Sequence, residues 1–224
     1  RQQFAQVTKP AFDSIRESLV MSLTEYIGRV GTGILNPNET NCKMVRLPHP
    51  ILTNGQLDIL QNIRYKGFNT KKLSITFTPA PQGAEHPGDA LREAIDKLCH
   101  DAEQSVDDGF NYIILSDRDV DKDHVAIPSL LAVSAVHHYL INVGKRVQTA
   151  LIVESGEIRE VMHAALLLGY GASALCPYMT YAILDDLVKK GKIQEDYATA
   201  EANYIKAVKK GLLKIMAKLG ISTI

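Results

Sequence analysis

The sequence predicts an α/β fold: alternating βα units with parallel strands form a partial or irregular TIM-barrel-like domain with an N-terminal helical segment. Short apolar runs near Leu73, Ile113, Leu151 and Ala174 alternate with longer helical patterns. Strands linked through such helices pair in parallel by right-handed crossovers, in an open sheet or in a closed or partial barrel. The chain has 224 residues, 46% of them hydrophobic. This is enough for one sizeable core.

The N-terminal helical segment is expected within residues 1–35, and its main helix over 13–29. Asp13 is a suitable N-cap for it. Apolar residues at every fourth position form one stripe: Ile15, Leu19, Leu23 and Ile27. A proline-rich loop with one strand over MVRL follows, and then a short helix over QLDILQNI that Asn54 can cap.

Regular alternation of strand and helix begins at KLSITF. Helices are predicted over residues 89–106, 127–143 and 156–168, over YAILDDLVKKG, and over ATAEANYIKAVKKGLLKIMAKLG within residues 195–224. The strands between them are YIILS, TALIV and ASALCP. Several helices end at a glycine, where a left-handed residue closes the last turn: Gly109, Gly144, Gly169 and Gly191.

Charge and cysteine content exclude several classes of protein. Twenty-five basic residues balance twenty-five acidic ones, so no overall field favours nucleic acid or an anionic membrane. No run approaches the roughly 20 apolar residues that span a bilayer. The three cysteines are Cys42, Cys99 and Cys176. Odd in number and far apart, they match neither a disulfide framework nor a zinc ligand set. We expect buried thiols in a reducing, cytoplasmic compartment.

The acidic stretch SDRDVDKD places aspartates at positions one, three, five and seven of a calcium loop: Asp117, Asp119, Asp121 and Asp123. An EF-hand also needs glycine at position six and a bidentate glutamate at position twelve. Those positions hold Lys122 and Pro128. The stretch is therefore interpreted as a strand-to-helix loop whose carboxylates satisfy turn amides.

Three other patterns are interpreted as structural. GYGASA resembles a dinucleotide fingerprint, but a helix precedes it and a strand follows, the reverse of the required order. Gly169 is then a helix stop, and Gly171 a tight entry to the strand. Ser155 lacks the flanking glycine of a nucleophile elbow and is predicted to cap a helix. His137 and His138 are adjacent on a helix, so their side chains point about 100° apart and cannot share a metal.

The stretch LIVESGEIREVMHAALLLGYGASALCPY has the strand, turn, helix and second strand of a phosphate-binding half-barrel. Such a turn usually offers small residues and free amides to the phosphate. Glu154 and Glu157 crowd this one. The residues thus predict a barrel-like domain that binds no phosphate ligand of its own.

Longer blocks resemble a known family. They are FAQVTKPAFDSIRESLVMSL, GDALREAIDKLCHDAEQSVDDG, ILSDRD, IPSLLAVSAVHHYLI, the stretch quoted above, and YIKAVKKGLLKIMAKLGIST. Together they resemble the central domain of the large (alpha) subunit of glutamate synthase, which makes glutamate from glutamine and 2-oxoglutarate. The resemblance covers essentially the whole chain.

The resemblance implies that residues 1–224 are a single α/β central domain, a piece of a longer chain that does not itself catalyse. In the parent enzyme, an oxidoreductase using NADPH or ferredoxin, an amidotransferase domain hydrolyses glutamine and ammonia passes through a tunnel to an FMN-binding synthase domain with an iron–sulfur cluster. The partners would be those two domains and, where the enzyme uses one, a small electron-donor subunit. Residues 195–224 would lead toward the synthase domain. No cofactor is expected in this chain.

The family segment that matches QVTKP contributes to the ammonia passage, which implies that Thr8 and Lys9 lie beside it. The chain departs from the family at Lys9, where asparagine is common. An alternative from a different class is a free-standing barrel enzyme that binds a small phosphorylated or flavin ligand.

Overall fold

The computed structural model describes residues 21–30 and 39–224. In chain order the strands are β1 (Glu25–Gly28), β2 (Met44–Leu47), β3 (Thr70–Ser74), β4 (Thr76–Phe77), β5 (Tyr112–Ser116), β6 (Val125–Ala126), β7 (Ala150–Glu154) and β8 (Ala174–Cys176). The α-helices are α1 (Asn54–Gln61), α2 (Asp89–Asp107), α3 (Ser129–Asn142), α4 (Val161–Gly169), α5 (Tyr178–Lys189) and α6 (Tyr197–Leu219). Short 3₁₀ turns cover Glu39–Cys42 and Arg146–Gln148.

The centre of the fold is a parallel sheet in the order β3-β5-β7-β8. Each strand lies beside the next one in the chain, which is the winding of a barrel and not of a doubly wound sheet. An isolated parallel bridge pairs Ile51 with Leu175 of β8. Within the described residues β3 has no partner on its other side, so the barrel is not closed. The predicted partial barrel of parallel βα units is confirmed.

Both faces of the sheet are apolar. One face of β5 and β7 packs against the outer helices α2, α3, α4 and α6 through residues such as Leu115 and Val153. The opposite face packs against α1, α5 and the β1–β2 pair through Ile114 and Ile152. Side chains alternate between faces along a strand. Lys72, Ser116 and Glu154 therefore project from the same face as the Ile114 side chain, at one edge of the sheet.

The predicted helix over 13–29 is wrong at its C-terminal end, because residues 25–28 form β1, which pairs antiparallel with β2. Met21, Leu23 and Ile27 are buried. A repeat of four residues is also a multiple of the two-residue repeat of a strand, so the same stripe fits both structures. The rest of this helix lies outside the described residues.

Helix starts also differ slightly from the predictions. The predicted helix over 156–168 begins only at Val161 as α4. For α1 the cap is Thr53 and not Asn54: its hydroxyl accepts from the Gln56 amide at 3.2 Å, and the Gln56 side chain accepts from the Thr53 amide at 3.0 Å. The predicted C-terminal helix forms as α6, which ends at Gly220 with φ of 70°.

Two of the three cysteines are buried as predicted, Cys99 and Cys176, and Cys42 is exposed. All three are free thiols. Burial raises the pKa of the Cys99 thiol to about 11 and that of Cys176 to about 12. Within the described ranges, each helix is too short or too polar to cross a membrane.

A carboxylate-filled site at the carboxyl ends of the strands

The carboxyl ends of the four parallel strands line up in one row across the sheet. Ser74 pairs with Ser116, Ser116 with Glu154, and Glu154 with Cys176. In parallel α/β folds this edge is where ligands bind. The side chains at these strand ends therefore determine whether the domain can bind a ligand there.

Glu154 is the central group of the row, and only 3% of its surface is exposed. Its Oε2 accepts from the Ser116 hydroxyl at 2.6 Å and from Lys72 Nζ at 2.9 Å. Its Oε1 accepts from Arg118 Nε. Burial by itself would raise the pKa of Glu154, but the hydrogen bonds from Ser116, Lys72 and Arg118 outweigh burial and lower it. The carboxylate is ionised and its oxygens are engaged.

Arg118 is held on three sides. Besides its bond to Glu154, it donates through a terminal nitrogen to Asn54 Oδ1 at 3.0 Å. Its guanidinium lies over the Tyr178 ring, 4.2 Å from the centroid. Stacking of this kind and paired hydrogen bonds fix a guanidinium in place. Arg118 is thus a positioned counter-ion for Glu154.

A second carboxylate, Asp117, directly follows β5, and its side chain reaches the turn that follows β7. It accepts from the Ser155 hydroxyl at 2.6 Å and from the Gly156 amide at 3.0 Å. The Tyr178 hydroxyl also bonds to it, and burial together with this bond raises the pKa of Tyr178. Ser155 was predicted to cap a helix, which is wrong. Its hydroxyl is buried, donates to Asp117 and accepts from the Glu157 amide at 3.1 Å.

A third carboxylate, Glu157, closes the start of α3. Its Oε2 accepts from the amide and the hydroxyl of Ser129, at 2.7 and 2.6 Å. The first amides of a helix carry partial positive charge and commonly bind anions. Here a side chain of the neighbouring loop takes that position.

The strand edge therefore contains the donors of an anion site, but the chain's own carboxylates occupy them. Glu154 accepts from the two cations, Asp117 from the Ser155 hydroxyl and the Gly156 amide, and Glu157 from the amide and hydroxyl of Ser129 at the start of α3. A cavity of about 340 Å³ lies beside Glu154, lined by Asn54, Leu57, Asp58, Gln61, Lys72, Arg118 and Glu154. A phosphate entering it would meet a buried negative charge whose cations are already paired.

Other sequence candidates do not converge on this edge. Asp121 accepts from the amides of Asp123 and His124, both at 2.8 Å, as predicted for a carboxylate that satisfies turn amides. Among the residues described, no three His, Cys, Asp or Glu side chains are grouped to hold a metal ion. Thr8 and Lys9 lie outside the described residues.

The two adjacent histidines face different surroundings, as predicted. His137 Nδ1 accepts from Arg146 Nε at 2.9 Å, and His138 is exposed. Burial and the Arg146 charge lower the pKa of His137, so the ring is neutral with its proton on Nε2. Arg146 also donates to the carbonyls of Thr149 and Gly171, each at 2.7 Å.

Sequence reasoning identified the acidic turn at Glu154 but missed Lys72 and Arg118 as its counter-ions. It assigned Asp117 to turn amides without identifying the Gly156 amide as the partner. One signal could have found them: each is polar and lies within a parallel strand or one to two residues after its end. Carboxyl ends of parallel strands share an edge, so polar residues there meet.

Comparison with known proteins identifies the family. A family model described as "Glutamate synthase central domain" matches residues 1–224. Among curated relatives, the Glutamate synthase [NADH] of Schizosaccharomyces pombe is 41% identical over 228 residues, covering 100% of this chain and 10% of the relative. The Glutamate synthase [NADPH] large chain of Bacillus subtilis is 38% identical, covering 100% of this chain and 14% of the relative. The Ferredoxin-dependent glutamate synthase of Pyropia yezoensis is 39% identical, covering 99% and 15%. The chain belongs to the glutamate synthase central domain family.

Proposed function

We propose that this chain is the noncatalytic connecting domain of a cytoplasmic glutamate synthase. It links the glutamine amidotransferase domain to the FMN-binding synthase domain and contributes to the passage that carries ammonia between them. Family membership supports the proposal, as do relatives that are named glutamate synthase and of which the chain spans only 10% to 15%. In this proposal FMN and the iron–sulfur cluster belong to other parts of the parent enzyme.

The observation that carries the noncatalytic role is the pairing of Glu154 with Lys72 and Arg118 at the carboxyl end of the sheet. A flavin phosphate would have to displace Glu154 from both cations. The carboxylate would then be buried without a neutralising cation, which costs several kcal/mol. Glu154 therefore acts as a permanent internal anion that holds the sheet edge together.

The first prediction concerns flavin binding by this domain alone. We expect the purified 224-residue chain to be colourless and to form no stoichiometric complex with FMN, because the anion-binding donors are occupied. Gel filtration after incubation with FMN, followed by an absorbance spectrum, measures this. A flavin band that co-elutes at one equivalent would contradict the noncatalytic role and support the free-standing barrel enzyme.

The conduit part of the proposal concerns Thr8 and Lys9. A threonine hydroxyl both donates to and accepts from neutral ammonia, whereas a charged lysine can only donate. The ammonium of lysine is strongly hydrated, so we expect Lys9 to face water. Thr8 is therefore the residue that shapes the passage.

The second prediction is a change in coupling in the full-length enzyme. Thr8→Val keeps the shape of the side chain and removes its hydroxyl, so we expect more glutamine to be hydrolysed per glutamate formed from 2-oxoglutarate. Lys9→Asn restores the residue common in the family and serves as the matched control, with coupling retained. Tight coupling in both variants would remove this segment from the passage.

A further inference from the structure

Helix α4 is apolar on almost every side. Its sequence is VMHAALLLG, with His163 as the one polar side chain. Helices at the surface of globular proteins normally carry a polar outer face, and a helix that is apolar all round is normally buried. Helix α4 nevertheless lies on the outside of the sheet.

The inner side of α4 is packed as expected. Ala164 and Leu167 are buried in the core. Val161 contacts α6 at Gly211, where an added Cβ would lie 2.4 Å from a Val161 methyl. The close approach of the two helices fixes α4 in this position.

The outer side of α4 forms an exposed apolar ridge, which we call the α4 ridge: Met162, Leu166 and Tyr170. These residues are 55%, 40% and 45% exposed. They follow one another at intervals of four, so they lie on one face along the helix and just past its end. Isolated exposed apolar residues are common, but a continuous ridge marks a contact surface.

Two largely apolar cavities flank the α4 ridge. One, of about 450 Å³, lies toward α3 and is lined partly by Pro128, Leu130, Leu166 and Leu167. The other, of about 400 Å³, lies toward α6 and the C-terminal residues, with Leu168, Ile215, Leu219 and Ile221 in its wall. Ridge and grooves together form one corrugated surface that could take up apolar side chains of a partner.

Acidic and basic residues both line this surface, but the charges without a partner among the described residues are basic. Arg159 lines the cavity toward α3 and has no ion pair among the described residues. Lys218 is exposed on α6, beside the Leu219 wall of the other cavity. Glu157 lines the first cavity too, but Ser129 occupies its Oε2. Glu25 lines the second cavity, where it interacts with Ser173 and with the Arg146 charge. The rim therefore complements a partner that carries carboxylates around an apolar centre.

We infer that the α4 ridge and its two grooves are the docking surface for another domain of the same polypeptide, one with apolar side chains rimmed by Asp or Glu. The inference rests on the proposed function and specifies one surface through which this domain contacts another domain of the enzyme. The length of the relatives supports it, because most of each relative lies outside the matched region. A second copy of this chain fits less well, since a two-fold contact would bring the basic rims together.

The third prediction tests this contact by photo-crosslinking in the full-length polypeptide. Tyr170 is replaced by the photoreactive amino acid p-benzoylphenylalanine, which keeps an aromatic ring at that position. The matched control is the same replacement at Tyr65, which is 72% exposed and lies far from α4 in the chain. After irradiation, we expect the position 170 probe to join a peptide outside residues 1–224, in a product with the mass of a single chain.

A second variant links the crosslink to the apolar contact. Leu166→Asp in the chain with the position 170 probe is expected to lower the crosslink yield about ten-fold or more, as for the loss of an interface anchor. Ile59→Asp is the control, because Ile59 is 69% exposed on α1. Circular dichroism confirms that both variants keep their helices.

The remaining outcomes each overturn the docking inference. A product of doubled mass identifies a second copy as the occupant. A crosslink into residues 1–20 or 31–38 identifies this chain's own segments. A yield no higher than at position 65 means that nothing docks there. The crosslink is measured without substrate, so its result is independent of the coupling between glutamine hydrolysis and glutamate formation. Either the docking inference or the proposed function can therefore fail while the other holds.

Discussion

Replacing Glu154 with glutamine is expected to lower the free energy of unfolding by about 3 kcal/mol, the range for a buried ion pair that loses one partner. The glutamine side chain has the same shape, but it leaves Lys72 and Arg118 without a negative charge at the sheet edge. Their side chains are 27% and 39% exposed, so water offsets part of the loss. Urea denaturation of the 224-residue chain measures the change.

The matched control for Glu154→Gln is Asp185→Asn, which breaks an exposed pair with Lys189 on α5. Exposed pairs of this kind contribute little to stability, because water screens the two charges. If the two variants lost the same stability, Glu154 would be no more important than a surface carboxylate. Adding Lys72→Met to Glu154→Gln should restore part of the loss, because it removes one of the two unpaired cations.

The ion pairs of Glu154 with Lys72 and Arg118 also make the stability of the fold depend on pH. The pKa of Glu154 is lowered from 4.5 in the folded chain, so its contribution is complete well above pH 4.5. As the pH falls below 4.5, the unfolded chain binds the proton first and this contribution is lost toward the lower folded pKa. The difference in stability between the native chain and Glu154→Gln should therefore shrink with acidification.

Replacing Gly171 with alanine is expected to cost about 3 kcal/mol of stability, through a steric clash and backbone strain together. Gly171 has φ of +107°, and an added Cβ would lie 2.1 Å from His137 Nδ1. The ring cannot move away freely because it accepts from Arg146 Nε at 2.9 Å. Thermal and urea unfolding measure the effect.

Gly169→Ala is the control for Gly171→Ala, since both glycines come from GYGASA. Gly169 has an ordinary φ and no atom within 4 Å of its added Cβ, so alanine there should be neutral or stabilising by up to about 1 kcal/mol. Adding His137→Ala to Gly171→Ala should relieve the steric clash but not the backbone strain, so only part of the lost stability should return. Equal effects of the two alanines would show that the tight contact with His137 is unimportant.

Strands β5, β7 and β8 could be predicted from the sequence because each is a short apolar run between helical patterns. The counter-ions of Glu154 could not, because the pairing of strands is a long-range property. Ser116 and Glu154 are 38 positions apart, and Asn54 and Arg118 are 64 apart. A single sequence gives the alternation of side chains along each strand, but not the register that pairs Ser116 with Glu154 and brings the Lys72 side chain within reach of both.

Local misassignments have local causes. The stripe that predicted a helix through residue 29 also fits a strand, and only pairing with β2 distinguishes the two. The late start of α4 follows from the turn before it, where the Gly156 amide and the Ser155 hydroxyl bind Asp117. Tertiary contacts outweighed helix propensity in both places.

The contact between residues 50–52 and β8 affects the order of folding. The Leu52 amide donates to the Leu175 carbonyl and the Leu175 amide donates to the Pro50 carbonyl, each at 2.7 Å. The Tyr181 hydroxyl donates to the Leu52 carbonyl across 129 positions. Closing so long a loop is entropically costlier than joining successive βα units. We expect the four-stranded sheet to assemble first and the segment around Ile51 to join it last. Contacts that form after the rate-limiting barrier slow unfolding without speeding folding. The contact between residues 50–52 and β8 therefore governs the unfolding rate of the domain.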